Sequence, residues 1–172
     1  MNLHLVDLNP PVVNAWLNAF KPYPEVTVEL GDLLSVAHHC VVSPANSYGY
    51  MDGGIDDAYR NYFGLDIEKK VQDAIRCRRE GNLPVGASLV IRTGHARIPF
   101  MIVAPTMATP ERVESSNCYR AMRAMLRIVD DEIGKDIFCP GLATGVGRVP
   151  FDDAATEMAQ AYEDWKNSKI KL

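Results

Sequence analysis

The sequence predicts an α/β fold: a sheet that is at least partly parallel, with helices covering both of its faces. Two observations carry this. Short apolar runs of strand length alternate along the chain with longer segments whose apolar residues recur at helical spacing. Two glycine-rich segments follow such short runs and lead into helical ones, which is where ligands bind in folds of this class.

Each element can be justified in order. Asn2 to Asp7 reads as a first strand with Leu3 and Leu5 on one face. Asn9-Pro10-Pro11 suits a helix entry, and Val12, Trp16 and Ala19 recur at helical spacing before the Lys21-Pro22-Tyr23-Pro24 break. Val26 to Leu30 is the second strand, stopped by Gly31-Asp32, and Cys40 to Ser43 is a buried third. Helical patterns run from about Gly54 to Tyr62, then through Ile67, Val71, Ala74 and Ile75. Strands are expected at Ala87 to Arg92 and Phe100 to Ala104, with a turn at Thr93-Gly94-His95 between them. Cys118, Met122, Met125, Val129 and Ile133 stripe the next helix. Ile137 to Cys139 is the last strand, and Ala155, Met158, Tyr162 and Trp165 stripe the closing helix.

Bulk properties limit the function classes. At 172 residues the chain suits one domain with a substantial core. Its 47% hydrophobic and 23% charged residues describe a globular chain, not a disordered one. A net charge of −4 argues against general nucleic-acid or anionic-membrane binding. It leaves a small anionic ligand open, because backbone amides and helix N-termini hold phosphate without a basic patch. No run reaches the length of a membrane span and the N-terminus lacks a signal-peptide pattern, so a cytoplasmic monomer is expected. Cys40, Cys77, Cys118 and Cys139 form no C-x-x-C pair and read as reduced, mostly buried thiols. His38 and His39 are strand neighbours that point to opposite faces, while His4 and His95 stand alone; no metal or cofactor is expected.

The chemistry is concentrated in the two glycine-rich loops. The first runs from Ser43 to Asp56 and enters a helix near Gly53-Gly54. Paired glycines at a helix start allow close approach to the backbone, and the free N–H groups there favour an anion. The second, Pro140 to Pro150, places Gly141, Gly145 and Gly147 where a concave nest of amides can form. Either loop alone is better read as a tight turn. Together they point to phosphate, although the P-loop pattern is absent and no G-x-G-x-x-G follows a first strand.

An ordered set of segments resembles the macro domain family. It comprises Gly31-Asp32-Leu33-Leu34, Val42 to Asn46, Gly53-Gly54-Ile55-Asp56, Pro84 to Ile91, Met101 to Thr106, and Pro140 through Thr144 to Gly147. The resemblance runs from about Val26 to Tyr162. It implies a three-layer α-β-α sandwich around a mixed, mostly parallel sheet of about six strands, in a single domain spanning 1–172. It also implies ADP-ribose, or an ADP-ribosylated substrate, as the partner. Ligand binding would fall to Asp32, Leu33, Ala45, Gly53, Gly54, Ile55, Thr144, Gly145, Val146, Gly147 and Arg148, with Asp32 on the adenine amino group. Asn46 would sit by the distal ribose and act with Asp56 as a catalytic residue. Asp56 matches the aspartate that, in hydrolytic members, activates or orients a water attacking the anomeric carbon.

The residues themselves leave alternatives open. Asp32 also suits a turn at a strand end, and Asn46 could tie its loop to itself. Asp56 lies in the first turn of a helix, where the dipole favours an acid. Asp52 is placed to cap that helix, and Asp57 to be solvated. The second loop departs from the Thr-Gly-Ile-Tyr-Gly-(Tyr or Phe)-Pro of many macro domains, with Gly147 where a Tyr is common and Val149 where an aromatic is expected. Tyr48, Tyr50 or Phe151 could substitute for the missing packing partner of the ribose. Arg148 adds a charge that either pairs with phosphate or is solvated. The implied function is binding of ADP-ribose with hydrolysis of an ADP-ribosyl linkage or of ADP-ribose 1″-phosphate. The alternatives are a reader of ADP-ribose without chemistry, and another nucleotide-binding α/β protein.

Overall fold

The computed structural model describes residues 1–170. Strand β1 (Asn2–Asp7) leads into helix α1 (Pro10–Ala19), followed by β2 (Thr27–Leu30) and the short α2 (Leu33–Val36). Then come β3 (Cys40–Ser43), α3 (Gly54–Phe63), α4 (Asp66–Arg76), β4 (Leu89–Arg92) and β5 (Phe100–Val103). Helix α5 (Ser116–Ile128), β6 (Asp136–Cys139) and α6 (Phe151–Ile170) complete the order. The six strands form one sheet in the order β2-β1-β6-β3-β5-β4. All neighbours are parallel except β4, which pairs antiparallel with β5 across the connection holding Gly94. The sheet is therefore mixed and mostly parallel.

The side-chain alternation of the strands divides the core in two. Val42, Ile102 and Ile137 belong to one buried cluster, with Trp16 of α1, Met122 of α5 and Met158 of α6. Their strand neighbours Val41, Met101 and Phe138 belong to the other, with Leu33 of α2, Tyr59 of α3 and Val71 of α4. Successive residues on a strand face opposite sides, so both faces of a doubly covered strand must be apolar. The result is three layers, with α1, α5 and α6 on one side and α2, α3 and α4 on the other.

Trp16 is 1% exposed at the centre of the first cluster. Trp16→Ala is expected to cost about 3–5 kcal/mol. Urea unfolding checks this, and a loss below about 1 kcal/mol would show that the cluster closes over the gap.

Two elements differ from the sequence expectation for local reasons. Helix α2 gave no apolar stripe. It forms because Asp32 caps it, accepting the Leu34 amide on Oδ1 at 3.1 Å and the Ser35 hydroxyl on Oδ2 at 2.9 Å. Helix α5 stops at Ile128 rather than running on to Ile133. Val129 turns to an extended ψ of 121°, and Asp130 Oδ1 accepts the amides of Glu132 and Ile133 in an Asx turn. Ile133 is nonetheless buried in the same cluster, which is why the stripe looked continuous. Cys40, Cys118 and Cys139 are buried free thiols, whereas Cys77 is exposed. Among the described residues no helix is long and apolar enough to cross a membrane.

Candidate functional site

Strands β1, β3, β5 and β6 run parallel, so their carboxyl ends and the loops that follow share one end of the sheet. A cavity of about 280 Å³ opens there. Its walls are Asp7 at the end of β1 and Asn9 beyond it, the loop after β3, Thr106 and Met107 after β5, and the loop after β6.

The first loop is held by its own polar groups. Asn46 Oδ1 accepts the amides of Tyr48 and Tyr50 at 3.1 and 3.3 Å, and its Nδ2 donates to the Tyr50 carbonyl at 2.9 Å. The Met51 amide donates to Glu68 Oε2 at 2.6 Å, fastening the loop to α4. Helix α3 then starts at Gly54, with Gly53 as an N-cap that offers no side-chain hydrogen bond, so Asp52 is not the cap. Gly54 has a φ of +58°, in the left-handed region that glycine occupies without strain. The amides of Gly54, Ile55 and Asp56 are those of a helical first turn, which the helix itself leaves unpaired.

The second loop closes on itself through the Val149 amide, which donates to the Ala143 carbonyl at 3.0 Å. Among the described residues the amides of Thr144, Gly145 and Val146 have no partner. The loop is pinned to β1 by Asp7, whose Oδ2 accepts the Gly141 amide at 3.0 Å. A Cβ on Gly141 would collide with Thr144 Oγ1 and lie 3.0 Å from Asp7 Oδ2, so the close approach requires glycine. At Gly53, Gly54 and Gly145, by contrast, an added Cβ would meet nothing within 4 Å. Bare backbone therefore faces the cavity from two sides. The ionisable residues in its lining are Asp7, Asp52, Tyr50 and Asp56, with no basic side chain, so any anion here is held by amides.

Asp56 lies at the floor, 7% exposed. Ser43 Oγ donates to its Oδ1 at 2.6 Å, while Oδ2 carries no hydrogen bond among the described residues. Burial pushes the carboxyl up to about 7, and the Ser43 hydrogen bond only partly offsets this. It is thus only part-ionised at neutral pH, where the dipole argument alone would keep it charged. A carboxyl raised in the folded state binds its proton more tightly there than in the unfolded chain. Stability contributed this way is full at about pH 4 and is lost as pH rises toward 7. Asp56→Asn is expected to flatten that decline, worth on the order of a few kcal/mol. Urea denaturation at several pH values reads it; an unchanged slope would place the carboxyl in water.

The cavity brings together most of the residues singled out in the sequence. Ala45, Asn46, Gly53, Gly54, Ile55, Asp56, Thr144, Gly145 and Val146 all line it. Four others stand outside its lining. Asp32 spends its carboxylate on the α2 cap and Leu33 is buried in the core beneath. Gly147 is buried within the turn, 2.7 Å from the Ala143 carbonyl by its would-be Cβ. Arg148 is exposed, with a φ of +52°. Tyr50 lines the cavity, while Tyr48 and Phe151 do not. Asp7, Asn9, Thr106 and Met107 were not singled out. Asp7 had a usable signal, because it ends a strand just ahead of a helix entry, as Ser43 and Cys139 do.

A family model described as the Macro domain matches residues 42–158, the stretch that holds both loops and Asp56. The chain belongs to the macro domain family. This macro domain is 33% identical over 137 residues to an uncharacterized protein of Aquifex aeolicus, covering 79% of each chain. It is 29% identical over 134 residues to O-acetyl-ADP-ribose deacetylase 1 of Pantoea vagans, covering 77% of each. Its fold matches that of the Oceanobacillus iheyensis macrodomain, solved as a variant with ADPR, at a TM-score of 0.67 and 20% identity. That superposition covers 78% of this macro domain and 74% of the other chain. Asp7 and Asp32 both precede the segment that the family model matches.

Proposed function

We propose that this macro domain binds ADP-ribose in the cavity and hydrolyses a bond at the distal ribose of an ADP-ribosylated compound. The observation that carries the reading is the meeting, in one cavity, of two stretches of unpaired amides with the buried Asp56 carboxyl. In this reading the diphosphate lies between the first turn of α3 and Thr144–Val146. Amides directed at it need no basic side chain and no reorganisation when charge develops nearby. The distal ribose then lies against Asp56. Ionised Asp56 takes a proton from a water as the water oxygen bonds to the substrate carbon, and the departing group leaves with the bond's electron pair. A carboxyl that titrates near 7 is matched to that work at neutral pH. Asn46 acts as a positioning residue, since its amide is already spent on holding Tyr48 and Tyr50. The deacetylase among the relatives and the relative solved with ADPR support the ligand class.

A second reading, a binding module without chemistry, draws on the same Asn46 bonds, which leave that side chain little to offer a substrate. Calorimetry with ADP-ribose, ATP and NAD, followed by chromatography of O-acetyl-ADP-ribose and of ADP-ribosylated peptide, tests both. Selective ADP-ribose binding with product release supports the enzyme. Binding with no turnover of any substrate supports the module, and no binding of ADP-ribose removes both.

A further inference from the structure

A second groove lies between α5 and the segment Pro84–Ala87, apart from the cavity described above. Arg120, Arg123 and Arg127 line it from one face of α5, at the i, i+3 and i+7 positions that stack along a helix. Arg120 Nη2 donates to the Val85 carbonyl at 2.8 Å and Arg127 Nη2 to the Gly86 carbonyl at 3.0 Å. These bonds fix the two outer guanidinium groups while leaving most of their N–H donors free. Between them, Arg123 Nη1 is buried with no acceptor among the described residues.

None of the three arginines forms an ion pair among the described residues. Asp164, whose carboxylate feels the charge of Arg123, is engaged by the Tyr119 hydroxyl at 2.7 Å and by Gln160 at 3.0 Å. Three guanidinium groups without an ion-pair partner among the described residues thus share one groove, on a chain of net charge −4. The helical rise spreads them over about 10 Å, more than one phosphate spans. Planar guanidinium forks are the side chains suited to phosphate oxygens. Because β4 runs antiparallel, the segment that precedes it emerges at the same end of the sheet as the cavity.

We propose that the Arg120–Arg123–Arg127 groove is a second anion site, one that takes the phosphate groups of a ligand carrying more than one of them. It does not depend on what the cavity binds. The test titrates the wild type with inorganic pyrophosphate and with a short single-stranded oligonucleotide, which separate a small phosphate compound from a phosphodiester chain as the source. The same titrations are run on Arg123→Gln/Arg127→Gln, on Arg123→Lys, and on Gly145→Val as a cavity control. The double variant is expected to weaken binding of at least one probe about tenfold or more. Arg123→Lys, which keeps the charge and loses the fork, should fall between, and Gly145→Val, which removes whatever share of pyrophosphate the cavity holds, should keep the binding that the double variant loses. Thermal unfolding of each variant identifies a folding defect, and Arg123→Lys carries the test if the double variant fails to fold. Three outcomes would overturn the proposal: binding of neither probe, loss in Gly145→Val alone, or a polyglutamate peptide binding as tightly as either phosphate.

Discussion

With asparagine in place of Asp56, hydrolysis is expected to fall at least about 100-fold while ADP-ribose affinity stays within a few-fold of wild type. The two effects separate because the amides that would hold the diphosphate belong to the backbone, and asparagine keeps the shape that accepts the Ser43 hydroxyl. What is lost is the proton acceptor, and positioned general bases contribute about 10²–10⁴-fold. In the wild type, kcat/KM should rise with pH and level off above about 7, as the buried carboxyl ionises. The variant should be slow and nearly flat across the same range. Single-turnover chromatography with O-acetyl-ADP-ribose measures both. Unchanged turnover in Asp56→Asn would leave Asp56 a structural partner of Ser43 and remove it from the chemistry.

Gly145→Val should abolish most ADP-ribose binding and leave the melting temperature where it was. Gly145 is not among the residues with positive φ, so valine is tolerated by the backbone. A Cβ there meets no atom within 4 Å, so the substitution adds bulk at a residue that lines the cavity without a backbone clash at its Cβ. That bulk would occupy the volume that the diphosphate needs, between Thr144–Val146 and the start of α3. Overpacking of this kind typically costs about 1–3 kcal/mol, roughly a 5- to 150-fold loss of affinity. Calorimetry reads the affinity and scanning fluorimetry the stability. Retained affinity would move the phosphates away from the second loop.

Much of the fold was legible because period carries it. Cys40 to Val42 and Phe100 to Val103 are apolar on successive residues and are buried on both faces, as a central parallel strand must be. The two loops were legible through glycine, since Gly53, Gly54 and Gly145 leave the backbone bare where the cavity opens. What escaped notice depends on partners distant in sequence. Asp7 matters because it meets the Gly141 amide across 134 residues, and nothing near Asp7 announces that contact. The raised Asp56 carboxyl is likewise a property of burial, which its place in a helical first turn does not convey. Short-range polar chemistry misled in the other direction. Asp52 looked like a helix cap, and Asp130 ended α5 before a residue that still packs in its stripe.

The place of β1 has a consequence for synthesis. It lies inside the sheet, between β2 and β6, and pairs Leu3 with Ile137. As the protein leaves the ribosome, this strand gains β2 early but keeps its other edge open until the last quarter of the chain has emerged. The Asp7–Gly141 contact can form only then, so one wall of the cavity is assembled last. Nascent chains released before β6 would hold the amide cradle of α3 with no opposing loop, and ligand affinity should appear abruptly rather than grow with length.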